Sequence, residues 1–207
     1  FRLIALVPLL SPSILAAIAL VYWFGNQGVL KSMLMGNSIY GPIGIIMASV
    51  YWTFPHALMI LSTSLSLSDG RLYEASEVLK ASKLKTFLTV TVPGAKYGII
   101  STTFVVFTQV FTDFGVPKVI GGNYNVLATD IYREVVGMQN FQMGAVISIV
   151  LLIPALLAFA MDQYFRKKQT AQLTSRAVVY SPKPDKLRDT ILLIYCLIIT
   201  VYVVMMI

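Results

Sequence analysis

The residues that could do chemistry in this chain are few, and most are gathered in one place. Residues 73–93 read YEASEVLKASKLKTFLTVTVP, with Glu74, Glu77, Lys80, Lys83 and Lys85 set among Ala75, Val78, Leu79, Leu84, Phe87 and Leu88. The apolar positions recur at helical spacing, so the segment predicts a charged helix with one apolar stripe. Asp69 is placed to cap the helix start, with Gly70 just inside it. Glu77 and Lys80, three apart, would support the helix, while Glu74 and Glu77 at the same spacing would oppose it slightly. Two readings fit this pattern equally. The stripe anchors a loop in the membrane interface, or it docks a partner protein.

Elsewhere the chemistry thins out. His56 is the single histidine and Cys196 the single cysteine. A multi-histidine metal site and an intrachain disulfide are therefore excluded, and Cys196, set in an apolar run, reads as an inert packing residue. No paired carboxylates for acid–base work and no catalytic constellation are visible. The phosphate loop G-x-x-x-x-G-K-[ST] is missing too, so the chain is neither an evident enzyme nor an ATPase. Inside the apolar runs, His56 stands beside Pro55, and Thr108, Gln109, Thr112 and Asp113 are three to four apart. That spacing puts the last four on one helical face. His56, Gln109, Thr112 and Asp113 are candidates for lining a path through the membrane. The alternatives are a packed, hydrogen-bonded His56, and an Asp113 that caps the next turn or pairs with Lys118.

The elements that must position these residues are membrane helices. The 207 residues are 57% hydrophobic and only 12% charged, against roughly a quarter charged in soluble domains. Several apolar blocks reach the roughly 20 residues that a helix needs to cross a bilayer. Five spans are expected, at residues 3–23, 42–63, 97–114, 143–161 and 190–207. The net charge is +7, but it is not a nucleic-acid stripe. Arg71, Lys80, Lys83, Lys85 and Lys96 fall in the second connection, and Arg166, Lys167, Lys168, Arg176, Lys183, Lys186 and Arg188 in the fourth. With alternating spans both lie on one face, which the positive-inside rule makes cytoplasmic. Pro8, Pro12, Pro55 and Pro154 punctuate the spans as packed bends or hinges. Residues 180–186 form a polar, proline-containing linker. On the outer side, Asp130, Tyr132 and Glu134 belong to a plain structured loop or to a contact with an external protein. The first residue is not methionine and the last lies in an apolar run, so a longer protein is expected in both directions.

The charged segment resembles the EAA loop of ABC importer permeases, whose pattern is Glu-Ala-Ala, three residues, Gly, nine residues, Ile, one residue, Leu-Pro. Glu74, Ala75 and Ser76 take the triplet, Val90 and Val92 the Ile and Leu positions, and Pro93 closes the motif. Lys80 stands where the family has glycine, which places the turn between two short helices in question. TDFGVP (residues 112–117) and ATDIYREV (128–135) resemble the fused permeases for ferric iron, thiamine, polyamines and 2-aminoethylphosphonate.

The resemblance implies an all-α, polytopic transmembrane bundle of the type I ABC importer permease kind in a bacterial inner membrane. Residues 1–168 would form the permease domain, with its coupling loop at 69–96. Residues 169–189 would be a cytoplasmic linker and 190–207 the first span of a second permease half. Partners would be a cytoplasmic ABC ATPase dimer, which carries the ATP and magnesium, an external substrate-binding protein, a second permease half and membrane lipid. Glu74 would face a basic residue of the ATPase, with Ala75 and Ser76 permitting close approach. Leu79, Leu84 and Phe87 would supply apolar contact. The implied cargo is a small polar solute of the 2-aminoethylphosphonate or ferric iron type, with no cofactor held by this chain. The rival reading is an ion-coupled secondary carrier, which would need acidic residues within the membrane.

Overall fold

The computed structural model describes residues 2–66, 68–172 and 186–206, and among these it contains helices and no strand. The helices are α1 (Arg2–Ala5), α2 (Ser13–Phe24), α3 (Pro42–Ser66), α4 (Gly70–Val78), α5 (Lys83–Thr86) and α6 (Val92–Gly94). They continue with α7 (Lys96–Thr112), α8 (Gly115–Ile120), α9 (Leu127–Tyr132), α10 (Phe141–Gln172) and α11 (Lys186–Met205).

Among the described residues, three helices are long and apolar enough to cross a membrane: α3, α10 and α11. A fourth span arises if residues 83–94 and α7, bent by 65° at their junction, count as one. The five expected spans therefore need correction at the first. Residues 3–23 do not form one helix: a 3-10 turn over Val7–Leu10 ends at Ser11, and α2 holds only 12 residues. Proline explains the break. Pro12 denies the preceding residue the helical region, and Ser11 accordingly lies at φ −105, ψ 140. Pro55 and Pro154 instead sit inside unbroken helices, which neighbouring helices in a membrane bundle make tolerable.

The helices α3, α7 and α10 run antiparallel in sequence. Ser64 near the end of α3 lies against Gly98 near the start of α7, where an added Cβ would come within 2.3 Å of the serine side chain. Ser101 of α7 donates its hydroxyl to Asp162, late in α10. Tyr97 and Phe104 carry the same seam along, with ring centroids 6.4 and 6.3 Å from Phe165. The end of α3, the start of α7 and the end of α10 thus share one end of the bundle. Arg71, Lys96, Arg166 and Lys167 all belong to that end, so the basic residues are collected on one side as the charge pattern requires.

At the opposite end Ala16, Ala17 and Leu20 of α2, Ile39, Ala48 and Tyr51, and Val116 and Ile120 of α8 form the buried core. Gly44 has no side chain to hold Ile120 away, and a Cβ there would stand 2.8 Å from it. Val203 and Met206 join this core from the last turn of α11 and beyond, and Trp23 donates its indole N–H to the Met205 carbonyl at 2.7 Å. Tyr51, expected to pack between helices, meets Tyr202 edge to face at 5.7 Å. The helix α11 begins before residue 190, where its span was expected, and most of the preceding linker lies outside the described residues.

Candidate functional site

The charged segment folds as a helical hairpin rather than as one helix. Asp69 accepts a hydrogen bond from the Arg71 N–H at 3.1 Å and caps α4, as its residue type favours. The helix stops after Val78, and the stop has a specific geometry. The Lys80 N–H donates to the Glu77 carbonyl at 2.9 Å and the Ala81 N–H to the Ser76 carbonyl at 3.0 Å. These are the two bonds of a Schellman ending, whose C′ residue must be left-handed. Lys80 is that residue, at φ 51. The turn that glycine makes in related loops is therefore made here by lysine, at a cost of about 1 kcal/mol relative to glycine. Because Lys80 lies past the helix end, the expected Glu77–Lys80 side-chain pairing on a helix does not apply.

Ser82 then caps the second limb by accepting from the Lys85 N–H at 3.3 Å. That limb runs through α5 and a π turn over Phe87–Thr91 into α6. Side-chain hydroxyls join the limbs: Ser76 bonds to Thr86, and Tyr73 donates to Thr91 at 3.1 Å. Ser76 is thus buried between the limbs. Glu74 and Ala75 remain exposed. So do the apolar side chains: Leu79 is 79% exposed, Leu84 68% and Phe87 52%. Lys80 and Pro93 are exposed as well. The hairpin presents a charged, apolar face at the basic end of the bundle, and its polar groups close upon one another.

The candidates for a membrane path separate. Asp113 is occupied structurally, accepting from the Ser13 hydroxyl at 2.5 Å and from the Val116 N–H at 2.9 Å. It caps α8 and ties it to α2. Lys118, the alternative partner, lies over the Tyr132 ring at 4.4 Å instead. Thr112 is exposed and returns its hydroxyl to the Thr108 carbonyl. His56 and Gln109 differ from these. The His56 Nδ1 and the Gln109 Oε1 are buried without a hydrogen-bond partner among the described residues, as is the Thr102 Oγ1. Unsatisfied buried polar atoms are uncommon and mark places where another polar group is wanted. Thr102 and Gln109 are seven apart on α7 and share a face.

Asp162 escaped the sequence reading, which placed it in a connection. It lies inside α10, buried, taking the Ser101 hydroxyl and an Arg166 N–H at 2.8 Å. The i, i+4 spacing of Asp162 and Arg166 was a visible signal. Ser101 could only be supplied by the fold.

An all-helical membrane bundle with a hairpin of this register on its basic end narrows the family sharply. The sequence profile of the family described as binding-protein-dependent transport system inner membrane component matches residues 1–170. The chain belongs to this family. Among the relatives of this permease is the ferric transport system permease protein FbpB of Actinobacillus pleuropneumoniae, 28% identical over 76% of this chain and 24% of its own length. A spermidine/putrescine permease PotC homolog of Mycoplasma genitalium is 30% identical over 78% of this chain and 55% of its own. The molybdenum permease ModB of Azotobacter vinelandii is 29% identical over 76% and 73%. The chain spans about a quarter of the ferric permease and about half of the polyamine permease. The names of these relatives cover ferric iron, spermidine/putrescine and molybdenum, and the expected aminoethylphosphonate type is not supported by them.

Proposed function

We propose that this permease is one transmembrane part of an ATP-driven importer that docks its ATPase through the hairpin at residues 69–94. One observation carries the reading. Glu74, Leu79, Leu84 and Phe87 stand exposed on a hairpin that is internally closed and sits at the basic end. Left to water, an apolar face of this kind is costly, and a groove on a cytoplasmic partner would cover it. ATP and magnesium belong to that partner, whose closure would move the hairpin as a rigid lever between discrete states. The helix α7 follows the hairpin across a 65° bend, so displacement of the second limb is delivered to α7 directly.

An external binding protein would deliver the cargo to the opposite end, where Asp130 and Tyr132 are accessible while Glu134 is buried. The path would use the unsatisfied polar atoms of His56 and Gln109, together with Thr112. Asp113, engaged as a cap, is better suited to shaping the outer end than to lining the path. The engagement of Asp113, and that of buried Asp162 with Ser101 and Arg166, weigh against an ion-coupled carrier, which needs an available acidic residue. The cargo is a small polar solute, with ferric iron favoured by the ferric relatives. The helix α11 would open a second permease half.

The test is Glu74→Lys in the full-length permease, reconstituted with its ATPase and binding protein. Stimulated ATP hydrolysis and uptake should fall about tenfold, the effect of losing roughly 1.4 kcal/mol at a close charge pair. Membrane insertion and melting temperature should not change. Undiminished hydrolysis and uptake in this variant would remove the docking reading.

A further inference from the structure

We propose that the Lys80 ammonium is a recognition charge, meeting a carboxylate on the ATPase groove that receives the hairpin. This rests on the docking reading above and adds the chemistry of the partner.

Two observations carry it. The first is the backbone. Lys80 occupies the left-handed C′ position at φ 51, where glycine gives the same two closing bonds without steric cost. A long cationic side chain there carries a backbone cost that glycine would not, as it also does at Met35 and Gln139, but of these three only Lys80 brings a charge to the hairpin. The C-terminal dipole of α4 offers a little local compensation, but at an exposed site it is weak and screened. The Lys80 side chain is exposed and forms no ion pair among the described residues.

The second observation is how charge is sorted along the hairpin. The carboxylate of Glu74 lies on the first limb, while Lys80 and Lys85 lie on the turn and the start of the second. A groove that accepts both limbs must be basic where α4 lies and acidic at the tip. A two-sided field of this kind fixes the direction in which the hairpin enters. It also rejects grooves that are neutral or basic at the tip, by like-charge juxtaposition.

The experiment compares the full-length permease with its Lys80→Gly and Lys80→Glu variants in nanodiscs of neutral phosphatidylcholine. Binding of the ATPase that co-purifies with the permease is measured at low and at high salt. Lys80→Gly keeps the turn and removes the charge, so misfolding does not confuse the result. It should weaken binding about two- to fivefold at low salt, the range for an exposed ion pair. Lys80→Glu should weaken it further. Both differences should shrink at high salt, where such contacts are screened. Binding of Lys80→Gly equal to that of the unaltered protein at low salt overturns the proposal. An effect that appears only when anionic phosphatidylglycerol is added to the disc also overturns it, because lipid headgroups then read the charge. Glu74→Lys, run alongside, separates the two claims. Lost binding there with Lys80→Gly unaffected rejects the recognition charge alone, whereas normal binding in both rejects the docking reading as well.

Discussion

At the end of the α3–α7 pair far from the basic residues, polar groups join one helix to another. Asp113 holds Ser13 of α2 and the Val116 N–H of α8, and the Gly41 N–H reaches the Ile120 carbonyl at 2.8 Å. Leu20, Ile39, Val116 and Ile120 are sealed beneath them. At the basic end the hairpin does the reverse. Ser76, Thr86, Tyr73 and Thr91 close on each other, and the apolar side chains Leu79, Leu84 and Phe87 are left outside. One end is built as scaffold and the other as a rigid insert with an uncovered face. A membrane protein can leave apolar residues exposed to lipid without penalty, so exposure along α10 and α11 carries little information. Exposure on a hairpin rich in lysine, at the basic end, carries more.

This contrast can be broken at the scaffold first. Asp113→Ala strips the cap from α8 and leaves the Ser13 hydroxyl and Val116 N–H without their partner. It should cost about 3 kcal/mol, since two bonds to a charged group are lost. A large fall in detergent melting temperature is expected, with ATPase affinity per folded molecule preserved. If affinity fell in step with stability, the two ends would not be separable. Next comes the seam between them. Gly98→Val drives a side chain into Ser64 and should cost about 2 kcal/mol through overpacking, read as lower melting and faster proteolysis at the α3–α7 junction. An unchanged melting curve would mean that these helices part easily.

The smallest effect lies in the hairpin. Ser76→Ala removes the bond to Thr86 and should cost about 1 kcal/mol locally. Amide exchange across residues 83–91 should speed up while global melting stays constant. Exchange that stayed slow would show the limbs to be held by something other than these hydroxyls.

Much of this arrangement could be read from local pattern. Asp69 before Gly70 announced the cap, and the apolar runs announced α3, α7, α10 and α11. The distribution of lysine and arginine announced which ends belong together, because topology signals act through individual loops. Ser82, two residues after the turn, carried a cap signal that went unread. The first span misled because apolar composition was weighed above Pro8 and Pro12. Hydropathy measures transfer to lipid, whereas proline acts on backbone geometry, and here geometry won.

Composition, spacing and charge by themselves thus determined a helical membrane protein with a charged insert of known register on its basic face. They also placed Lys80 at the turn, without saying whether the turn would form. Only the tertiary structure decided that Lys80 takes the left-handed conformation, that Ser76 turns inward to Thr86, that Asp113 also holds Ser13, and that Asp162 is buried against Ser101. Each of these depends on a partner ten to a hundred residues away or on a backbone state that several bonds enforce together. Local propensity is set by neighbours in sequence. The occupation of a polar atom is set by whatever the packed helices bring beside it.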